Sequence, residues 1–294
     1  MPELPEVETV RRGLEPVLAG HRLARVTQRR ADLRFPFPER FVERLQGQRV
    51  ERLDRRAKYL VAHLASGEAL IMHLGMTGRF TISSQSQAAQ VGAFEHEAGK
   101  VAKHDHVVFE TDAGIVITYN DARRFGFMEL ADSARFAEHP LIRDIGIEPL
   151  GPDLTPAFIA AAARGKRADL KAFLMDQTIV CGLGNIYVCE TLYRARLSPI
   201  KPSARIATPT GRPKPAADRL VPLIQEVLGE AIGAGGSTVR DHRQADGSRG
   251  NYQLRFAVYG REGEPCRTAG CTAGIKRVVQ ANRSTFYCPR CQRA

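Results

Sequence analysis

Apolar residues near the start of the chain recur at helical spacing: Val7, Val10, Leu14, Val17 and Leu18 share one face before Gly20. Pro5 suits a first-turn position, and Glu6 and Glu8 complement the positive end of the helix that this spacing predicts. Pro16 has no N–H to donate, so a kink or restart is expected there. From about 22 to 130 the pattern changes to short strand-like runs: RLARVTQRR, QRVERLDRR, KYLVAHLA, EALIMHL, HVVFE, IVITY and FMEL, joined by turns such as SGE and TDAG. Strands so spaced predict a sandwich or barrel with the first helix packed against it. The polar, small-residue stretch from Ser83 to Gly99 reads as a surface loop.

Beyond about 135 the pattern turns helical. Thr155-Pro156 has the form of an N-cap followed by a first-turn proline, opening a helix AFIAAAARG that ends at Gly165. DLKAFLMDQ, NIYVCETLYRARL and AADRLVPLIQEVLGEAI follow as further helices, and a glycine-rich hinge from Gly233 to Gly236 introduces a polar segment, STVRDHRQADGSRGNYQ, expected to be mobile. These shifts divide the chain into 1–135, a linker over 136–152, a helical domain over 153–256 with its loop near 234–252, and a terminal module over 257–294.

Composition narrows the class. With 43% hydrophobic and 26% charged residues among 294, disorder is excluded, and two compact domains with a small appendage fit the length. No apolar run approaches the ~18 residues of a membrane span, and the opening MPELPEVE is unlike a signal peptide, so a soluble cytoplasmic protein is expected. Lys plus Arg number 43 against 32 Asp plus Glu, a net charge of +11, which favours a polyanionic partner.

Four of the six cysteines, Cys266, Cys271, Cys288 and Cys291, crowd the C-terminus as C-x4-C-x16-C-x2-C. Without a secretion signal a disulfide scaffold is the poorer reading, and thiolate pairs separated by a hairpin arm, IKRVVQANRSTFYC, can close a tetrahedral shell around one structural zinc. Cys181 and Cys189 sit among apolar helical residues and read as packing. At the other end, removal of Met1 before a small residue leaves Pro2 with a free secondary amine beside Glu3. An α-amino group of pKa near 8 is about a tenth deprotonated at pH 7 and can attack a sugar aldehyde carbon, giving an iminium that promotes elimination while an acid such as Glu3 moves protons. Met-Pro-Glu alone says little, but basic turns elsewhere strengthen it. HLGMTGR places Met76 between glycines and NDARRFG places Arg123, Arg124 and Phe125 on a turn, as a protein that fills a gap in a base stack needs. GLGNIY opens a helix whose first amides can hold a phosphate, though it is no Walker loop.

MPELPEVETV, RRAKYL, HLGMTGR, KHDHV, DARRFG, GLGNIY, NRSTFYC and the cysteine module, in this order over almost the whole chain, resemble bacterial formamidopyrimidine-DNA glycosylase. The resemblance implies an α+β multidomain fold: an N-terminal β-sandwich with a flanking helix, a helix-two-turn-helix domain and a zinc-ribbon hairpin. It also implies a monomer that excises oxidised purines from damaged double-stranded DNA and breaks the strand at the abasic site. Carried over by motif, Pro2 forms the Schiff base, Glu3 donates a proton, Lys58 serves β-elimination and Arg283 δ-elimination. His73, His104, Arg123, Lys166 and Asn185 bind DNA, and Met76, Arg123 and Phe125 fill the space of the extruded lesion. The alternatives are an endonuclease VIII-like enzyme for oxidised pyrimidines, against which Leu4 and the Met, Arg and Phe set argue, and a noncatalytic zinc-finger DNA-binding protein, which gives no reason for Pro2-Glu3 or Lys58. Two departures stand out: the family's first cysteine pair is usually C-x2-C, and the linker before KHDH is longer than usual.

Overall fold

The computed structural model describes residues 2–84, 102–237 and 250–293. Most of the expected loop at 83–99, including the lengthened linker before KHDH, and most of the polar segment after Gly236 lie outside the described residues. The chain forms two units, Met1–Arg143 with Gly235–Asn251, and Asp144–Ala234 with Tyr252–Ala294.

In the first unit, α1 (Leu4–Leu18) precedes β1 (Leu23–Gln28), a short α2 (Phe41–Leu45), β2 (Val50–Arg56), β3 (Tyr59–Leu64), β4 (Glu68–His73), β5 (Arg79–Ser84), β6 (Asp105–Thr111), β7 (Ile115–Asn120) and β8 (Phe127–Asp132). The strands make two antiparallel four-stranded sheets, ordered β1-β6-β7-β5 and β2-β3-β4-β8. Alternate side chains of both sheets, among them Leu60, Met72, Phe80, Phe109 and Tyr119, join Val7, Val10, Leu14 and Leu18 of α1 in one core. Contrary to the expected kink or restart, α1 runs as one helix through Pro16. That proline lies in the last turn, where a single missing N–H is tolerated. The strand β5 begins before the expected loop and takes in Ser83 and Ser84, because Phe80 and Ile82 continue the alternation against β7.

The helix start and the sheet are tied by charge. Glu8 accepts from Arg11 and Arg12 within α1 and from Arg55 Nε of β2 at 3.2 Å, and Arg55 also donates to the Ala57 carbonyl at 2.9 Å. The first helix is thereby joined to the β2–β3 turn. Gly235–Ser237 and Gly250–Asn251 complete the unit, with Ser237 bridged to Asn251.

In the second unit, α3 (Pro156–Ala163) is capped by Thr155, whose hydroxyl accepts from Phe158 N at 3.1 Å, and α4 (Leu170–Met175) by Asp169, which accepts from Ala172 N at 2.7 Å. With α5 (Asn185–Arg194) and α6 (Pro215–Gly233) they enclose Ile159, Phe173, Leu192, Leu220 and Ile224. A smaller core of Val258, Ile275 and Phe286 lies beside the cysteines under the hairpin β9 (Lys276–Gln280) and β10 (Arg283–Tyr287). Among the described residues no helix is long and apolar enough to cross a membrane.

Burial works to raise the Glu8 pKa, but hydrogen bonds from Arg11 and Arg12 and the charge of Arg55 outweigh it and hold the carboxyl below its ordinary 4.5. A lowered folded-state pKa gives stability that is present above the unfolded value and lost as pH falls through the folded one. Glu8→Gln should therefore cost about 1–3 kcal/mol at neutral pH. Denaturant titrations of the two proteins should converge as pH falls below about 4.5.

Candidate active site and metal centre

The first unit carries Pro2, Glu3, Lys58, His73, Met76, His104, Arg123 and Phe125; the second carries Lys166, Asn185, Arg283 and the four cysteines. Pro2 is buried immediately before α1, and Glu3, 4% exposed, is its N-cap. The Glu6 carboxylate fixes this start: Oε2 accepts the Glu3 N–H at 2.9 Å, the arm of a capping box. Its other oxygen accepts both the N–H and the hydroxyl of Ser237 at 2.8 and 2.9 Å. One buried carboxylate therefore holds the residue after Pro2 and the stem of the 238–249 segment.

Lys58 is 8% exposed and follows Ala57, which has a left-handed φ of 53° in the two-residue turn between β2 and β3. Register places Tyr59 opposite His73, and His73 opposite Phe127. The His73 ring stacks on Phe127 at 5.2 Å, and its Nδ1 accepts the Gly75 N–H at 3.0 Å. A neutral ring that accepts at Nδ1 carries its proton on Nε2 and can only donate there. Burial first, then the charges of Lys58 and Arg34, lower the His73 pKa to about 4. Lys58 and His73 are thus close neighbours with different electrostatics, a cation beside an uncharged N–H donor.

Met76 and Phe125 are 37% and 43% exposed, each at the tip of a turn. The Arg123 guanidinium lies 4.6 Å from the centre of the Phe125 ring. His104 is half-buried in a 3-10 turn before β6, and its carbonyl accepts the Asp121 N–H at 3.0 Å. Sequence reasoning passed over Asp121, a fully buried carboxylate between the two turns, although its place ahead of a turn in NDARRFG was a usable signal.

In the second unit, Lys166 is exposed beyond α3 and its ammonium lies 5.9 Å from the centre of the Phe173 ring. The Asn185 amide, expected to hold phosphate, donates one N–H to the Ser284 carbonyl at 2.9 Å, one residue past Arg283. Lys171, 2% exposed, donates to the Thr285 hydroxyl of the same strand. Together they hold the hairpin whose tip, Ala281 and Asn282, has two left-handed residues (φ 46° and 60°), the combination of a type I′ turn. Arg283 is exposed just after that tip. The base of the module is held by Glu190 of α5, whose carboxylate accepts the N–H groups of Ala257, Val258 and Tyr259 at 2.8 to 3.0 Å. Glu190 and Lys171 also escaped sequence reasoning.

The four cysteine sulfurs all lie within 4.8 Å of one another, with Cys266–Cys291 at 3.9 Å and Cys271–Cys288 at 3.7 Å. Four sulfurs around one zinc at about 2.3 Å stand about 3.8 Å apart, so this donor set fits the ion. Burial raises the pKa of the Cys288 and Cys291 thiols, and a divalent cation supplies the charge that holds them as thiolates. The two extra residues of the first pair are absorbed by a turn in which Cys271 N donates to the Thr268 carbonyl at 3.0 Å and Gly270 takes a φ of 74°. Metal analysis of the purified protein should give about one zinc per chain, and Cys271→Ser should lower that content and speed proteolysis of the 276–287 hairpin. Unchanged zinc in Cys271→Ser would remove that residue from the ligand set.

Three family domains match successive parts of the chain. The formamidopyrimidine-DNA glycosylase N-terminal domain matches residues 1–128, the H2TH domain of that glycosylase 145–243, and a zinc finger found in FPG and IleRS 263–294. Formamidopyrimidine-DNA glycosylases of Bradyrhizobium sp. (strain BTAi1) and Beijerinckia indica are 54% and 56% identical over 293 residues, covering all of both chains. The crystal structure of the MutM (Fpg) protein from Thermus thermophilus has a TM-score of 0.80 at 36% identity, covering 99% of this chain and 98% of its own. The Lactococcus lactis Fpg in complex with DNA containing an abasic site has a TM-score of 0.84 at 32% identity, with both chains fully covered. Motifs, domain matches and full-length likeness agree that the chain belongs to the formamidopyrimidine-DNA glycosylase family.

Proposed function

We propose that Pro2 is the nucleophile with which this DNA glycosylase and abasic-site lyase removes oxidised purines from duplex DNA. The observation that carries the reading is the start of α1: a proline that can bear a free secondary amine once Met1 is removed, followed by Glu3, whose backbone the Glu6 carboxylate holds. Attack of that amine on the sugar C1′ displaces the base, which leaves with a proton; the proline nitrogen then loses its own proton and the C1′–O4′ bond opens, O4′ taking up a proton as the C1′=N+ iminium forms. The resulting iminium draws electrons from C2′, whose proton is lost as the 3′ phosphate departs. Elimination of the 5′ phosphate follows. Glu3 supplies or removes protons at these steps, as a carboxyl acid does. Lys58, on a turn with a left-handed residue, serves the first elimination, and Arg283, on its type I′ hairpin, serves the second.

Around this chemistry His73, His104, Lys166 and Asn185 bind DNA, with His73 acting as a neutral donor through Nε2. Met76, Arg123 and Phe125 occupy the gap left by the extruded nucleotide, which offsets part of the few kcal/mol that flipping costs. The protein works as a monomer on nucleoid DNA in the bacterial cytoplasm, with its catalytic sandwich over 1–135 and its helical and zinc-bearing domains beyond the 136–152 linker.

Two experiments bear on the reading. Borohydride should fix the protein to a duplex containing 8-oxoguanine, and peptide mapping should place the link on residue 2. A link on Lys58 with Pro2 unmodified would overturn the assignment. In binding titrations against salt, Lys166→Ala should flatten the slope of log affinity against log salt by up to about one unit. His73→Ala should weaken binding without changing that slope or its flatness between pH 5 and 8, since the ring stays neutral down to about 4.

A further inference from the structure

The residues read as gap fillers come from two turns far apart in sequence: Met76 from the turn after β4, and Arg123 and Phe125 from the turn between β7 and β8. Both turns converge on Asp121, which is fully buried. Its Oδ1 accepts the Thr77 hydroxyl from the first turn and, at 3.3 Å, the Arg123 N–H from the second. Its Oδ2 accepts the Gly126 N–H at 2.8 Å and the Tyr119 hydroxyl at 3.4 Å. Thr77 closes the ring of contacts, because its oxygen also accepts the Arg123 N–H at 3.2 Å. Four donors match the four lone-pair sites that the two oxygens offer, with the Thr77 and Gly126 bonds short and the Arg123 and Tyr119 contacts longer.

The backbones are also in direct contact. A methyl group added at Gly75 would lie 2.3 Å from Gly126 N and from the Phe125 carbonyl carbon, and one at Gly126 would lie 2.7 Å from the His73 carbonyl oxygen. Neither turn can shift without the other. Arg124, between the two proposed fillers, has a left-handed φ of 55°, a conformation that an isolated turn would rarely hold. Its N–H donates to the Asp121 carbonyl at 3.3 Å, and the same carbonyl accepts from His106 Nε2 at 2.8 Å.

We infer that Asp121, acting through Thr77, is the positioning residue that locks the Met76 turn and the Arg123–Phe125 turn into one rigid wedge before DNA arrives. The inference rests on the reading of Met76, Arg123 and Phe125 as gap fillers. Asp121 is fully buried beneath the two turns, so the role assigned to it involves no contact with DNA or the reacting sugar. Its effect is on the step at which a stacked base is replaced, because a loose wedge must be ordered during that step, whereas an abasic sugar has no base to extrude.

The hydroxyl of Thr77 allows a test that spares the fold. Thr77→Val keeps the shape and the backbone contact but removes the hydrogen-bonded link between the turns, whereas Thr77→Ser keeps both. Single-turnover excision of 8-oxoguanine paired with cytosine should fall by roughly tenfold in Thr77→Val, equivalent to about 1.4 kcal/mol, and return to within about twofold of wild type in Thr77→Ser. Strand cleavage at a preformed abasic site should change by less than about threefold in both. Asp121→Asn should show the same split between substrates with a larger loss, and combined with Thr77→Val should add little to it. Equal losses on the two substrates, or a Thr77→Ser variant as impaired as Thr77→Val, would overturn the inference. If instead wild-type protein gave no borohydride adduct with lesion DNA, the proposed chemistry would fail, and the wedge variants would not be the cause.

Discussion

A loop can hold a side chain in place only when its own backbone polar groups have fixed partners, and here those partners are three buried carboxylates. Glu6 accepts from Glu3 and Ser237, Asp121 from the two turns around Met76 and Phe125, and Glu190 from three successive N–H groups below the cysteine module. Burying a carboxylate costs several kcal/mol unless its lone pairs are filled, and each charge-assisted bond returns about 1.5–3 kcal/mol. Three or four donors on one side chain are therefore the number at which burial becomes tolerable. The converse also holds: remove the carboxylate and several backbone N–H groups lose their partner at once. Each segment so held either carries or adjoins a residue assigned to catalysis, to gap filling or to zinc.

Much of the fold was legible because it follows period and capping. The helical spacing of Val7 to Leu18, the strand runs from Leu23 to Leu130, Thr155 as a cap and the cysteine spacing all reappear as structure. What escaped did so for physical reasons. In α2 five residues are too few for a periodic signal, and in β5 only Phe80 and Ile82 alternate before the serines. Glu190, Lys171 and Asp121 are charged residues of the kind that most often face water, and one sequence does not distinguish a buried charge from a solvated one. The partners of Glu190 and Lys171 lie tens of positions away, which leaves no mark on local pattern. Among the proposed site residues, the place of Arg283 in the hairpin was expected and is found, but the difference between Lys58 and His73 was not legible. It arises only where burial and two nearby cations keep an imidazole neutral.

Backbone conformation marks the same places. Of the six non-glycine residues with left-handed φ among those described, Ala57 precedes Lys58, Arg124 lies between Arg123 and Phe125, and Ala281 and Asn282 precede Arg283. Such conformations cost of order 1–3 kcal/mol each and persist where the surroundings over-determine them. At the β2–β3 turn that support includes Arg55, reaching from Glu8 to the Ala57 carbonyl; at the wedge it is Asp121; at the hairpin it is the β9–β10 ladder with Lys171 and Asn185 behind it. The side chains proposed as reactive or gap-filling are thus presented on tight turns whose backbone groups are held from below.

The bond from Glu6 to Ser237 spans 231 positions of sequence, and it sets an order of events during synthesis. The first unit includes Gly235–Asn251, so a ribosome that has finished residue 143 has not yet supplied the groups that fill one side of the Glu6 carboxylate. At roughly 5 to 20 residues per second the remaining stretch takes on the order of 5 to 20 s. Until then the start of α1 lacks one of its two anchors, and the nascent chain carries a proline at its head without the setting that holds it. Only a chain translated past Ser237 can complete the contacts of the Glu6 carboxylate, so the setting of the first helix is finished only after most of the chain has been made.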